Sequence, residues 1–179
     1  MSVPRLDPMP ADRPLTLRSA RTQDVPVIQA LVEPLARERV LLQKEAVAYY
    51  EAIQEFVVAE EADGTLAGFG ALHVMWQDIA EVRTLAVSEA HRGAGVGHLI
   101  IEELLDRARA VGVERVFCLT FEVEFFRRHG FEVMADQSAV DPEVYAELLR
   151  STDEGVAEFL DLARVKPNTL GNTRMLLQL

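Results

Sequence analysis

Six consecutive residues, Arg92-Gly93-Ala94-Gly95-Val96-Gly97, have the make-up of an anion site. Glycines let a backbone approach a ligand closely, and the first N–H groups of a following helix lack an intrahelical partner. The helix dipole adds partial positive charge at the same end, so such a turn suits a phosphate or pyrophosphate. The same spelling also serves as a plain strand-to-helix connection. Two well-known phosphate loops are excluded. A P-loop needs Gly-Lys-Ser/Thr at its end, whereas His98 follows Gly97; a G-x-G-x-x-G fingerprint started at Gly93 or Gly95 meets His98 or Ile100 in place of its third glycine. Glu81 and Arg83 lie two residues apart in an alternating segment, which puts both on one face of a strand. They read either as a site pair or as a surface ion pair of small energetic weight. Cys118, between Phe117 and Leu119, reads as core rather than nucleophile. The histidines, His73, His91, His98 and His129, show no metal-ligand spacing, and no metal is expected. Only two lysines, Lys44 and Lys166, stand against sixteen arginines.

These residues need elements to position them. Residues 15–19 alternate as a half-buried strand, and Thr22 or Asp24 can cap a helix to about Leu35. Residues 41–53 read as a second helix and 56–60 as a strand, and Asp63-Gly64 turns it into the next strand, 66 to about 75. A strand over 81–87 runs into the glycine loop. The helix 96–110 carries Ile100, Ile101, Leu104, Leu105 and Ala108 on one face and ends at Gly112. A strand at 116–120, a short helix at 122–129 and a strand at 131–134 follow. Pro142 suits the first position of a helix to Arg150, a second short helix covers 153–162, and residues 175–179 form a last strand. The segment 141–166 serves as a lid over a pocket, a dimer contact or a helical pair filling a sheet face. The whole predicts an α+β fold, a mixed central sheet of about six to seven strands with helices on both faces.

Composition narrows the function classes. A chain of 179 residues, 49% hydrophobic and 26% charged, is sized for one globular domain. No apolar run approaches the ~20 residues of a membrane span. Residues 1–13 mix prolines with charges, lack a signal core and read as a disordered lead-in to one domain over 14–179. A single cysteine fits a reducing, cytoplasmic setting. A net charge of −11 argues against nucleic acid and against an anionic membrane surface as partners, but not against a small anion held in a local pocket.

The spelling that survives, Arg-x-x-Gly-x-Gly over Arg92–Gly97, resembles the acetyl-CoA pyrophosphate loop of the Gcn5-related N-acetyltransferase (GNAT) superfamily. Residues 81–87 look like that family's fourth strand, and Phe125-Phe126-Arg127-Arg128-His129-Gly130-Phe131 is similar to its late helix-and-turn motif. The likeness covers about residues 15–134. Leu41-Leu42-Gln43-Lys44, the run 53–59, Gly70-Ala71-Leu72-His73, Leu119-Thr120-Phe121-Glu122 and the tail around Lys166 to Leu176 further resemble the acetyltransferase domain of N-acetylglutamate synthases, in a short form without the kinase-like domain. Control by arginine through such a domain is therefore not expected.

The resemblance implies acetyl transfer from acetyl-CoA to the α-amine of L-glutamate, the first step of arginine biosynthesis, with a small amino acid as partner and homodimerisation left open. It places Leu85, Ala86, Val87, Arg92, Gly93, Ala94, Gly95, Val96, Gly97, His98 and Phe126 around acetyl-CoA, with main-chain groups near 85–87 holding the oxyanion. It makes Glu81 the proton acceptor, or else an edge carboxylate pairing Arg83. Phe126 stands where many relatives carry a tyrosine that protonates the leaving thiolate; Thr120 is a substitute, an amine-orienting group or a hydroxyl bonded to backbone. Two acceptor carboxylates need cations or N–H donors. The candidates are Lys44, Arg83, Lys166 and Arg174, helped by Asn168, Asn172 and Thr173, although Gly171-Asn172-Thr173-Arg174 replaces a more basic stretch in the family. Another acceptor on the same fold, such as glutamine, a small amine or a protein N-terminus, stays open, as does an acyl-CoA-binding domain without turnover.

Overall fold

The computed structural model describes residues 14–41, 44–134, 140–162 and 171–179. The expected lead-in and two acceptor candidates, Lys166 and Asn168, lie outside these residues. Among the described residues, β1 (Thr16–Ser19) leads through a 3-10 turn into α1 (Val25–Arg37), followed by α2 (Ala46–Glu51) and a 3-10 turn, Ile53–Glu55. The strands β2 (Phe56–Glu60), β3 (Leu66–Trp76) and β4 (Ile79–Val87) form a meander. After a 3-10 turn at Glu89–His91 come α3 (Val96–Val111), β5 (Arg115–Thr120), α4 (Val123–Arg127), β6 (Glu132–Val133), α5 (Pro142–Leu148), α6 (Glu154–Phe159) and β7 (Thr173–Gln178). The seven strands make one mixed sheet in the order β1-β2-β3-β4-β5-β7-β6, parallel only between β4 and β5.

Strand parity assigns each helix to a face. Val57, Ala80, Val82, Val116, Cys118 and Met175 join the inner residues of α3 in one apolar cluster. The alternate positions Phe56, Val58, Phe69 and Ala71 pack against α1 and α2, while Met75, Ile79 and Phe117 pack against α5 and α6. Phe117 and Phe159 meet edge to face at 5.5 Å with both rings fully buried. Each such ring contributes ~1.5–3 kcal/mol by its burial, enough to hold the short α6 on the sheet. Helices thus cover both faces, and the second face carries two separate apolar clusters with a gap between them. Glu81 and Arg83 share the parity of Ile79, and His73 that of Ala71 and Met75, so all three point into that gap.

Two irregularities shape the site. The β4–β5 ladder runs from Ile79↔Arg115 to Glu81↔Phe117 and stops there, though β4 continues to Val87 and β5 to Thr120. The strands therefore splay into a V with Glu81 at its apex. In the β3–β4 ladder, Phe69 faces Ala86 while Ala71 faces Arg83, so Thr84 and Leu85 both oppose Gly70 as a bulge. Thr84 sits at φ 55°, a conformation a β-branched residue adopts only under constraint. The second helix is shorter than its sequence pattern of 41–53: it starts at Ala46, and at its C-terminal end residues 53–55 tighten into a 3-10 turn before β2 starts at Phe56. Strand β4 begins two residues early, since Ile79 and Ala80 are both buried and hide the alternation there. The Trp76–Ile79 connection is a turn, with the Asp78 carbonyl accepting from the Glu114 and Arg115 amides.

Candidate active site

At the end of β4 the chain turns through the glycine loop into α3. Gly93 and Gly95 adopt φ 78° and 81°, which only glycine takes without strain. Gly95 is the N-cap of α3 and no side chain caps the helix, so the first turn lines the groove without a capping side chain, an arrangement that suits an anion. The entry to the loop is tied down from behind. The Ser88 hydroxyl and His91 Nδ1 are 2.6 Å apart, and His91 Nε2 binds the buried carboxylate of Glu61 beyond the end of β2. Across the groove, His129 Nδ1 donates to the Phe125 carbonyl at 3.0 Å, which leaves its Nε2 to accept from His98 Nδ1, also at 3.0 Å.

The gap between the two clusters of the second face holds a charge network. Arg83 donates from Nη1 to Asp153 Oδ2 at 2.8 Å and from Nη2 to Glu55 Oε2 at 2.9 Å, with Glu81 Oε2 at 3.8 Å. His73 Nδ1 lies 2.7 Å from Glu55 Oε1, and its Nε2 lies 3.6 Å from Asp153 Oδ2. Asp153 also caps α6, its Oδ1 accepting from the Val156 amide at 3.1 Å. Glu81 is only 6% exposed, and its Oε2 has no hydrogen-bond partner. Burial pushes its carboxyl up to about 7, against the pull of Arg83 and with the help of Asp153. Burial lowers the Lys44 ammonium, and the charge of Arg83 lowers it further. For Arg83, burial acts downward, but the carboxylates of Glu81, Glu55 and Asp153 outweigh it and raise the guanidinium. Burial disfavours the Glu55 and Asp153 carboxylates too; His73 and Arg83 overcome it at Glu55, chiefly Arg83 at Asp153, and both stay below the ordinary range.

Gly155, in the first turn of α6, presses on Glu81: a Cβ there would lie 1.9 Å from Glu81 Oε2. A glycine inside a six-residue helix weakens it by ~1 kcal/mol relative to alanine, and this close approach is the reason for it. Gly155, Asp153, Glu55 and His73 were not among the residues singled out for chemistry in the sequence. A glycine two residues after a capping aspartate was a usable signal for the first two. Strand parity relative to Glu81 across the β3–β4 pair was one for His73.

One groove of about 1470 Å³ joins both regions. Glu81, Arg83, Lys44, Thr120 and Asn172, the residues expected at the acceptor, line it together with Leu85, Ala86 and Val87. Arg92, Gly93, Gly95, Val96, Gly97 and His98 line the loop end, with Phe126 on the floor between. Ala94, Thr173 and Arg174 are not among its lining residues. Thr173 pairs with Thr120 in the β5–β7 ladder, and Arg174, opposite Leu119, donates to the Phe159 carbonyl. Thr120 Oγ1 accepts from the Glu122 amide at 2.8 Å, the backbone-bonded arrangement among its three sequence readings. Phe126 stacks edge to face with Phe125 and Phe131 and has no proton to give. Cys118 is fully buried, and burial, then the charge of Glu81, raises its thiol well above the usual range.

Comparison with known proteins fits this geometry. Residues 27–131 match the model of the acetyltransferase (GNAT) family. An amino-acid acetyltransferase of Mycobacterium tuberculosis is 54% identical over 172 residues, which span 95% of this chain and 98% of that protein. An amino-acid acetyltransferase of Neisseria meningitidis is 32% identical over 124 residues, 68% of this chain but 28% of that longer protein. A crystal structure of a Mycobacterium tuberculosis protein in complex with CoA superposes with a TM-score of 0.87 at 54% identity, covering 92% of this chain and 99% of that one. N-acetylglutamate synthase from Neisseria gonorrhoeae, complexed with coenzyme A and N-acetyl-glutamate, gives 0.73 at 25% identity, covering 94% of this chain and 36% of that one. Loop, splayed strands and sequence agree: the chain belongs to the GNAT acetyltransferase family.

Proposed function

We propose that this chain transfers the acetyl group of acetyl-CoA to the α-amine of L-glutamate, giving N-acetyl-L-glutamate for arginine biosynthesis. The observation that carries the reading is one continuous groove with an anion-binding helix start at one end and a buried carboxyl beside two cations at the other. The Mycobacterium tuberculosis relative matched nearly end to end and the Neisseria meningitidis relative matched over 68% of this chain are both amino-acid acetyltransferases, which supports an amino acid as acceptor.

Acetyl-CoA supplies a thioester whose acetyl carbon bonds to the acceptor nitrogen as the carbon–sulfur bond breaks and the thiolate leaves. The residues present fit it. The left-handed glycines and the uncapped start of α3 suit the pyrophosphate, and the V between β4 and β5 is an opening for the pantetheine arm. Leu85–Val87 line the groove, and their main-chain N–H groups are the donors proposed for the oxyanion. Glu81 takes the proton from the acceptor ammonium, and a carboxyl at about 7 is suited to accept it near neutral pH. Arg83 and Lys44 hold the acceptor's carboxylates, with Asn172 as a neutral donor. The phenyl ring of Phe126 offers the thiolate no acid, so its departure relies on the low basicity of a thiol.

A second reading keeps the reaction and takes L-glutamine as acceptor. It rests on the acceptor end, where Glu45, Glu51, Glu55, Asp153, Glu154 and Glu158 outnumber Lys44 and Arg83 among the described lining residues. Steady-state kinetics with the two amino acids separates them: a higher kcat/KM for L-glutamate supports the first, and the reverse order the second.

A further inference from the structure

The guanidinium expected to grip an acceptor carboxylate is already engaged. Both Nη atoms of Arg83 point at carboxylates of the protein itself, Asp153 at 2.8 Å and Glu55 at 2.9 Å. These bonds use one N–H on each Nη, so an incoming carboxylate that grips both Nη atoms as a fork competes with these two, and the two are held unequally. Glu55 has a second side-chain partner in His73, at 2.7 Å, whereas His73 stands 3.6 Å from Asp153, whose other oxygen is held by the neutral Val156 amide at 3.1 Å. Asp153 also belongs to α6, whose first turn lies on Glu81 through Gly155. We propose that Asp153 is a specificity-determining residue that occupies Arg83 in place of the acceptor's carboxylate and is displaced by it, so that carboxylate binding lifts the first turn of α6 off Glu81.

The inference rests on the reading of the acceptor as an amino acid, and it adds a means of selection. An amine without a carboxylate has nothing to exchange for Asp153, so Arg83 stays paired and the turn of α6 stays on the carboxyl that takes the proton. Discrimination thus comes from a contact that wrong acceptors fail to replace, as well as from contacts that right ones make. The cover is anchored at its far end by Phe159 against Phe117, so only the Asp153–Gly155 turn needs to shift.

The test removes the competing charge and keeps the helix cap. Asp153→Asn retains a side-chain oxygen for the Val156 amide, and Asp153→Ser does so as well should the first variant fold poorly. Glutarate, a dicarboxylate with no amine, is titrated calorimetrically into the CoA-saturated full-length protein and each variant. The exchange predicts tighter glutarate binding in the variants, by about tenfold, the worth of one charge-assisted contact. It also predicts a lower KM for L-glutamate. A merely structural role for Asp153 weakens binding instead. Unchanged, weaker or undetectable glutarate binding in the folded variants overturns the proposal. Tighter glutarate binding in a protein that does not acetylate L-glutamate sinks the proposed acceptor and leaves the exchange standing.

Discussion

With its carboxyl pushed to about 7, Glu81 keeps a proton in the folded protein over a range where the unfolded chain has lost it. A folded acid with a raised pKa binds more protons than its unfolded form between the two values, so stability falls as pH rises through that window and levels off above it. Glu81→Gln removes the effect. In urea melts the variant should equal the parent near pH 4 and gain progressively from about pH 4.5 to 7, by at most about 3 kcal/mol. A constant difference across that range would show that Glu81 is not held protonated. On the proposed role of Glu81 as proton acceptor, the same group sets the rate profile. Parent kcat/KM should rise with pH through about 7, and Glu81→Gln should flatten that limb until alkaline solution itself frees the amine. Arg83→Ala tests the other half of the pair. It should raise the acceptor KM roughly ten- to a hundredfold with little change in acetyl-CoA affinity, as loss of a charge-assisted contact worth ~1.5–3 kcal/mol requires. An equal loss for both substrates would instead mean that Arg83 holds the fold.

At the scale of elements, the strand–loop–helix unit from Ile79 to Val111 does most of the positioning. Gly95→Val places a side chain at φ 81° where no protein atom stands within 4 Å, so its cost falls on the backbone and on a ligand at the helix start. Gly97→Val meets the Phe125 ring at 3.3 Å. Both variants should weaken acetyl-CoA binding by more than tenfold in calorimetry, with Arg92→Ala weakening it less; equal affinity in folded variants would remove the loop from the site. Much of this unit was legible in advance, because a loop and a long amphipathic helix are written in consecutive residues. The α5–α6 excursion was legible as helices, from Pro142 and the segment after Asp153, and a lid over a pocket was one of its three readings, but which of its residues face the site was not legible. The Asp153 side chain reaches Arg83, and the Gly155 backbone reaches Glu81, across some seventy residues of sequence, and no local pattern records such a contact. The bulge at Thr84 was hidden for a similar reason, since it exists only in register with Gly70.

For the molecule as a whole, a net charge of −11 repels a dianionic amino acid at long range, but screening confines that field to ~8 Å at physiological salt. On the proposed acceptor, recognition falls to the few cations inside the groove, and the sequence candidates sort accordingly. Lys44 and Arg83 line the acceptor end, Arg174 is turned to the Phe159 carbonyl, and Lys166 lies outside the described residues. A face of the sheet divided into two apolar clusters, with a charge network in the gap, is a property of the assembled fold alone. The central claim is tested by the acceptor itself. CoA release should be followed with acetyl-CoA and each common amino acid, with the product identified by mass. The account predicts turnover with L-glutamate and a product acetylated once on its α-amine, lost in Glu81→Gln at neutral pH. Absence of turnover with L-glutamate and L-glutamine, alongside robust acetylation of a peptide N-terminus, would contradict it.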